Sequence, residues 1–82
     1  MRTYPKLISV TPMENYQLLL AYANKEKRLY DFRPNLDHPF FKALVSEELF
    51  KKVSAADGGL EWVTGQDFCP HTLYSDSKPV NQ

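Results

Sequence analysis

The chain is predicted to be an α+β domain: an antiparallel three-stranded meander, one or two short helices packed on it, a C-terminal hairpin and a short terminal helical turn. Apolar residues alternate at period two between residues 16 and 32, and the spacing becomes helical after residue 36. Gly58-Gly59 then marks a tight turn between two further apolar runs. With 82 residues there is room for one core only. The expected domain covers residues 1–74, and residues 75–82, polar apart from Val80, are expected as a disordered tail.

The first strand is expected at about residues 6–11, where Leu7-Ile8-Ser9-Val10 lies between Pro5 and Pro12, residues that cannot donate to a ladder. Turn chemistry at Pro12-Met13-Glu14-Asn15 leads to a second strand at 16–22, with Tyr16, Leu18, Leu20 and Tyr22 on one face. Asn24-Lys25-Glu26 breaks the pattern. Arg28-Leu29-Tyr30-Asp31-Phe32 gives the third strand, ended by Arg33-Pro34. Asp37 is the expected cap of a helix in which Pro39 sits in the first turn and Phe40, Phe41, Leu44 and Val45 form the apolar stripe. Ser46, followed by Glu47 and Glu48, is a second helix start, with Leu49, Phe50 and Val53 facing inward and Lys51 and Lys52 at the negative end. One bent helix and two separate turns are both compatible with this pattern. Leu60 and Trp62 share a face after the glycine pair, and Thr64-Gly65 turns the chain again. Pro70 after Cys69 opens the terminal helical turn.

Composition narrows the function. Ten Lys plus Arg balance ten Asp plus Glu, so no excess positive charge is available to coat nucleic acid. Cys69 is the only cysteine, which rules out an intrachain disulfide, and no charged-then-apolar signal opens the chain, so a cytoplasmic location is expected. No apolar run approaches the roughly 20 residues that span a bilayer. The core is expected to be rich in rings, because each hides about 150–250 Å² and the chain carries one Trp, five Tyr and five Phe.

Few residue patterns point to chemistry. Cys69-x-His71, with distant His38 and Asp37 or Asp67, offers one close pair where a structural zinc site needs two, so no metal is expected. Cys69 and His71 would share a face in a strand, but Pro70 between them points to a helix start, so Cys69 reads as a small residue at a cap position. Gly58, Gly59 and Gly65 spell neither phosphate-loop motif, and no cofactor is expected. Lys25, Lys27 and Arg28 form a basic tip with Tyr30 nearby, suited to gripping a single strand. Solvated charges guarding a sheet edge explain the same residues, and Glu26 and Asp31 dilute the patch. Glu61 and Asp67 flank the Trp62-to-Gly65 turn, where an acid-base pair and a backbone-bonding role for Asp67 are both open.

The order Tyr4-Pro5-Lys6-Leu7-Ile8-Ser9-Val10, Tyr16-Gln17-Leu18-Leu19-Leu20, Tyr30-Asp31-Phe32-Arg33-Pro34, Phe41-Lys42-Ala43-Leu44 and Glu48-Leu49-Phe50-Lys51-Lys52-Val53 is distinctive. So is the closing Glu61-Trp62-x-x-Gly65-x-Asp67-Phe68-x-Pro70-x-Thr72-Leu73-Tyr74. Over residues 4–74 this resembles the small bacterial family called domain of unknown function 2442. The chain departs from the family pattern at Asn24-Lys25, where a Gly is usual, and at Cys69, a position often polar or acidic.

The resemblance implies an α+β domain without an assigned role. It also implies a gene context like that of toxin-antitoxin pairs and, in some relatives, a following helix-turn-helix domain. That points to a non-enzymatic interaction module, plausibly antitoxin-like, binding a small partner protein or itself through a sheet edge or through the surface around Trp62, Gly65, Asp67 and Tyr74. Whether Trp62 lies in the core or at the contact stays open. The alternatives are a nucleic-acid-binding regulator using the Lys25, Lys27 and Arg28 tip, and a ligand or enzyme site near Glu61, Asp67, Cys69 and His71. A molybdopterin-related label on some relatives belongs with the latter. No membrane partner is expected.

Overall fold

Alternating burial builds the meander. In the computed structural model, which describes residues 4–56 and 58–80, strands β1 (Leu7–Pro12), β2 (Gln17–Tyr22) and β3 (Lys27–Asp31) pair antiparallel in sequence. Leu18, Leu20 and Tyr22 are buried while Gln17, Leu19 and Ala21 are half-exposed, so one face of the sheet meets the core. The first strand carries a bulge between Leu7 and Ser9, which leaves Ile8 exposed.

The first hairpin differs from expectation at Tyr16. Asn15 and Tyr16 are both left-handed, with φ of 58° and 60°, so β2 starts one residue later. A ring in that conformation is strained. Tyr16 offsets the strain with its hydroxyl, which donates to the Val45 carbonyl, and its ring packs edge-on against Phe50 with centroids 5.2 Å apart.

The helical region is two pieces. Ser46 is extended, with φ −68° and ψ 115°, and separates a 3-10 helix over Pro39–Val45 from α1 (Glu47–Phe50). His38, not Asp37, caps the first piece, its side chain accepting from the Phe40 amide at 3.1 Å. Because the first piece is 3-10, residues three apart eclipse, so Phe41 and Leu44 are buried and Phe40 and Val45 are left exposed. Ser46 receives the Leu49 amide at 3.5 Å and starts α1 as expected.

A second sheet follows, in the order β4 (Ser54–Ala56), β5 (Gly59–Glu61), β6 (Asp67–Phe68). Gly58 turns the chain with φ +83°, and Gly59 admits no side chain, since a Cβ there would meet the Phe68 carbonyl oxygen at 2.8 Å. The terminal helix α2 runs from Pro70 to Asp76.

Residues 75–80, expected within a disordered tail, are built into the fold. Strand β7 (Lys78–Pro79) pairs with β3, giving the first sheet the order β1-β2-β3-β7, and the Val80 amide donates to the Lys27 carbonyl at 2.9 Å. Residues 81 and 82 lie outside the described residues. Among the described residues no helix is long and apolar enough to cross a membrane.

The β2–β3 turn carries Lys25 at φ 71°, where its amide donates to the Tyr22 carbonyl at 3.0 Å. A left-handed non-glycine residue costs about 1–2 kcal/mol, partly offset by the entropy glycine would lose. Lys25→Gly is therefore expected to stabilise the fold by about 0.5–1 kcal/mol, raising the melting temperature by a few degrees. Thermal denaturation followed by circular dichroism measures this, and an unchanged or lower midpoint refutes it.

Candidate functional site

The region singled out in the sequence divides into a buried anchor and an exposed rim. Trp62 is 2 % exposed, and its Nε1–H donates to the Phe50 carbonyl at 3.0 Å, so the ring belongs to the core and is not contact surface. Its main chain begins the next turn: the Trp62 amide donates to Gln66 at 2.9 Å and the Gly65 amide returns to Trp62 at 3.0 Å. Gly65 makes that turn with φ +98°.

The residue after the anchor points the other way. Val63 is 71 % exposed, the highest value among the exposed large apolar side chains. The Gln66 amide nitrogen donates to the Phe40 carbonyl at 3.2 Å, fastening this turn to the start of the 3-10 helix, where Phe40 is 49 % exposed. Asp67 is exposed and stands directly across the ladder from Glu61, also exposed. Like charges so placed repel. Both line a groove of about 280 Å³ with Gly59, Gly65 and Phe68. Phe40 and Val63 were not among the residues expected at the site. Val63 was signalled by its position next to Trp62, whereas the exposure of Phe40 follows from the 3-10 winding, which residue spacing alone does not specify.

Tyr74 is half-buried and faces the β2–β3 hairpin. Its hydroxyl donates to Glu26 Oε1 at 2.8 Å, and its ring meets Tyr22 edge-on at 5.2 Å. The Arg28 guanidinium lies 4.2 Å from the Tyr74 ring centroid, donates through Nη2 to the Ser77 carbonyl at 2.7 Å and bonds Glu26 and the Ser77 hydroxyl. The expected basic tip is thereby broken up: Lys25 and Lys27 are exposed, but Arg28 is turned inward, its side chain 12 % exposed. Burial pushes the neighbouring Tyr22 hydroxyl up to about 12, against the lowering influence of Arg28, and that hydroxyl has no hydrogen-bond partner among the described residues.

Cys69 is exposed at the start of α2, where the Thr72 amide first, and that of His71 next, hold its thiol below the ordinary value. The His71 ring lies against Tyr4, with centroids 5.6 Å apart, and His38 is the cap already described. Among the described residues no three His, Cys, Asp or Glu side chains converge as a metal ion requires.

The Trp62-to-Tyr74 segment and the meander together carry the family pattern. The chain belongs to the family described as protein of unknown function (DUF2442). That family's profile matches residues 7–79. The match takes in β7, beyond the stretch over which the resemblance was drawn. No curated protein and no solved structure matches the DUF2442 chain.

Two outcomes follow from these contacts. Glu26 is held below the usual carboxylate range by its Asn24 hydrogen bond first, then by Arg28 and Tyr74. A lowered folded-state pKa gives stability that is present above the unfolded carboxylate value and is lost as pH falls through the folded one. Melting temperature is therefore expected to fall on acidification below about pH 4.5, and the fall should be shallower in Glu26→Gln; parallel curves would refute the assignment. Trp62→Phe removes the donor to the Phe50 carbonyl and part of the ring volume, an expected loss of about 2–4 kcal/mol in urea denaturation.

Proposed function

We propose that this protein is an interaction module, antitoxin-like in role, whose contact surface is the exposed side of the 63–67 turn together with Phe40. The observation that carries this reading is the pair of exposed apolar side chains, Val63 and Phe40, on two segments fastened by the Gln66 bond to the Phe40 carbonyl. Apolar side chains held outward on a fixed framework suit protein contact, since little ordering entropy remains to be lost on binding.

The acidic pair supplies the partner's chemistry. Glu61 and Asp67 make no ion pair among the described residues, so a chain that brings Lys or Arg beside its own apolar side chains would relieve their repulsion. A small partner protein with such a surface fits, and the product of the gene adjacent to this one is the first to test. The nucleic-acid reading loses its third cation to the internal Arg28 network.

The two products are co-expressed, and the complex is measured by size-exclusion chromatography with light scattering and by titration calorimetry. Phe40→Ser and Val63→Asp each remove an exposed side chain and are expected to leave the circular dichroism of the folded chain unchanged while weakening the complex at least about tenfold. A complex unaffected by both substitutions, or no complex, overturns the reading.

A further inference from the structure

The free edge of β3 carries a groove that shares no residue with the Phe40–Val63 surface. Strand β7 begins at Lys78, opposite Leu29, because the residues before it belong to α2 and its cap, so on the side away from β2 no described strand lies beside Tyr30 and Asp31. A groove of about 470 Å³ opens there, within the range of about 300–1,000 Å³ that holds small organic ligands. Leu29 and Pro34 give it an apolar wall. Tyr30 and Asn35 also line it and fix each other, the Asn35 amide nitrogen donating to the Tyr30 hydroxyl at 2.8 Å, which leaves the Asn35 side-chain oxygen to accept from a ligand.

Two side chains of opposite charge, Asp76 and Lys78, complete the lining. Among the described residues neither belongs to an ion pair, although they are two apart in sequence. Lys78 stands opposite Leu29 in the ladder and so shares its face of the sheet. Asp76 is the last residue of α2, where the free carbonyls are negative and no basic residue stands in the turn, so a carboxylate is unfavourable there by itself. Burial above all, and the charge of Asp76 after it, push the Tyr30 hydroxyl up against the lowering bond from Asn35, so this carboxylate acts on the wall of the groove. Asp31 lines the groove too, but both its oxygens accept from Arg33 and its charge is spent. We propose that the groove binds a small zwitterion, an α-amino acid with an aliphatic side chain, its ammonium group on Asp76, its carboxylate on Lys78 and its side chain against Leu29 and Pro34. An uncompensated anion and an uncompensated cation beside one apolar wall match that chemistry, whereas a simple amine or a simple acid leaves one of the two charges unmatched.

Titration calorimetry of the intact chain with L-leucine, with 3-methylbutylamine and with 4-methylpentanoate decides it, since the last two are leucine without its carboxylate and without its amine. Leucine is expected to saturate one site, and each single-charge analogue to bind at least about tenfold more weakly. Glycine, which keeps both charges and lacks the side chain, should also bind more weakly. Asp76→Asn and Lys78→Gln, both at exposed positions, should each weaken leucine binding about tenfold with circular dichroism unchanged. In Asp76→Asn the advantage of leucine over 4-methylpentanoate should vanish, and in Lys78→Gln its advantage over 3-methylbutylamine, because each substitution removes the partner of one ligand charge. Val63→Asp should bind leucine as the unaltered chain does. No saturable binding of leucine, equal affinity for leucine and its single-charge analogues, or advantages that survive both substitutions overturns the proposal.

Discussion

Phe32 is the point at which the elements of this small protein meet. It follows β3 directly and has no exposed surface, and its ring lies within 5.1–6.2 Å, centroid to centroid, of Tyr30, Phe41, Phe50, Trp62 and Phe68. Those rings come from the meander, the 3-10 helix, α1 and the second sheet. A chain of this length buries only a little over about 60 % of its unfolded surface and has no disulfide to stiffen it, so a few large side chains must contribute most of the burial. The short second sheet has its reason here. Its three-residue and two-residue strands are too small to persist alone, and they are held because Leu60, Trp62 and Phe68 enter the cluster that Phe32 centres.

The polar counterpart of that cluster is the group around Arg28. One guanidinium bonds Glu26 in the hairpin turn and Ser77 beyond α2, and stacks on Tyr74 between them. Segments distant in sequence are thus joined by charge-assisted bonds in a partly buried setting, where such bonds are stronger than on an open surface. With the Ser77 carbonyl fixed, the next two residues lie beside β3 and add a strand without burying a side chain of their own.

What the sequence made legible depended on side-chain periodicity. The alternation of Leu18, Leu20 and Tyr22 and the glycine pair before Leu60 were readable because burial writes itself into residue type. Strand β7 was not, since Lys78 and Pro79 pair by main chain alone and expose both side chains. The inward turn of Arg28 is written in the spacing, since it precedes Tyr30 and Phe32 at period two and shares their face, although a cation is ordinarily solvated. At the candidate site, Trp62 drew the eye by its type, yet a ring that large on the same face as Leu60 serves the core. The exposed residues of the proposed surface lie beside it, and Phe40 is exposed because the helix opened by Pro39 is 3-10, a choice that Pro39 and His38 favour but do not encode alone.

The proposed Phe40–Val63 surface sets a limit on how a domain of this size could function by contact. The Val63–Phe40 patch is small, and small patches give weak complexes unless something raises the local concentration of sites. Ile8, Met13 and Val45 are exposed as well, so the Phe40–Val63 pair is set apart by the Gln66 bond that fastens its two segments and not by apolar exposure alone.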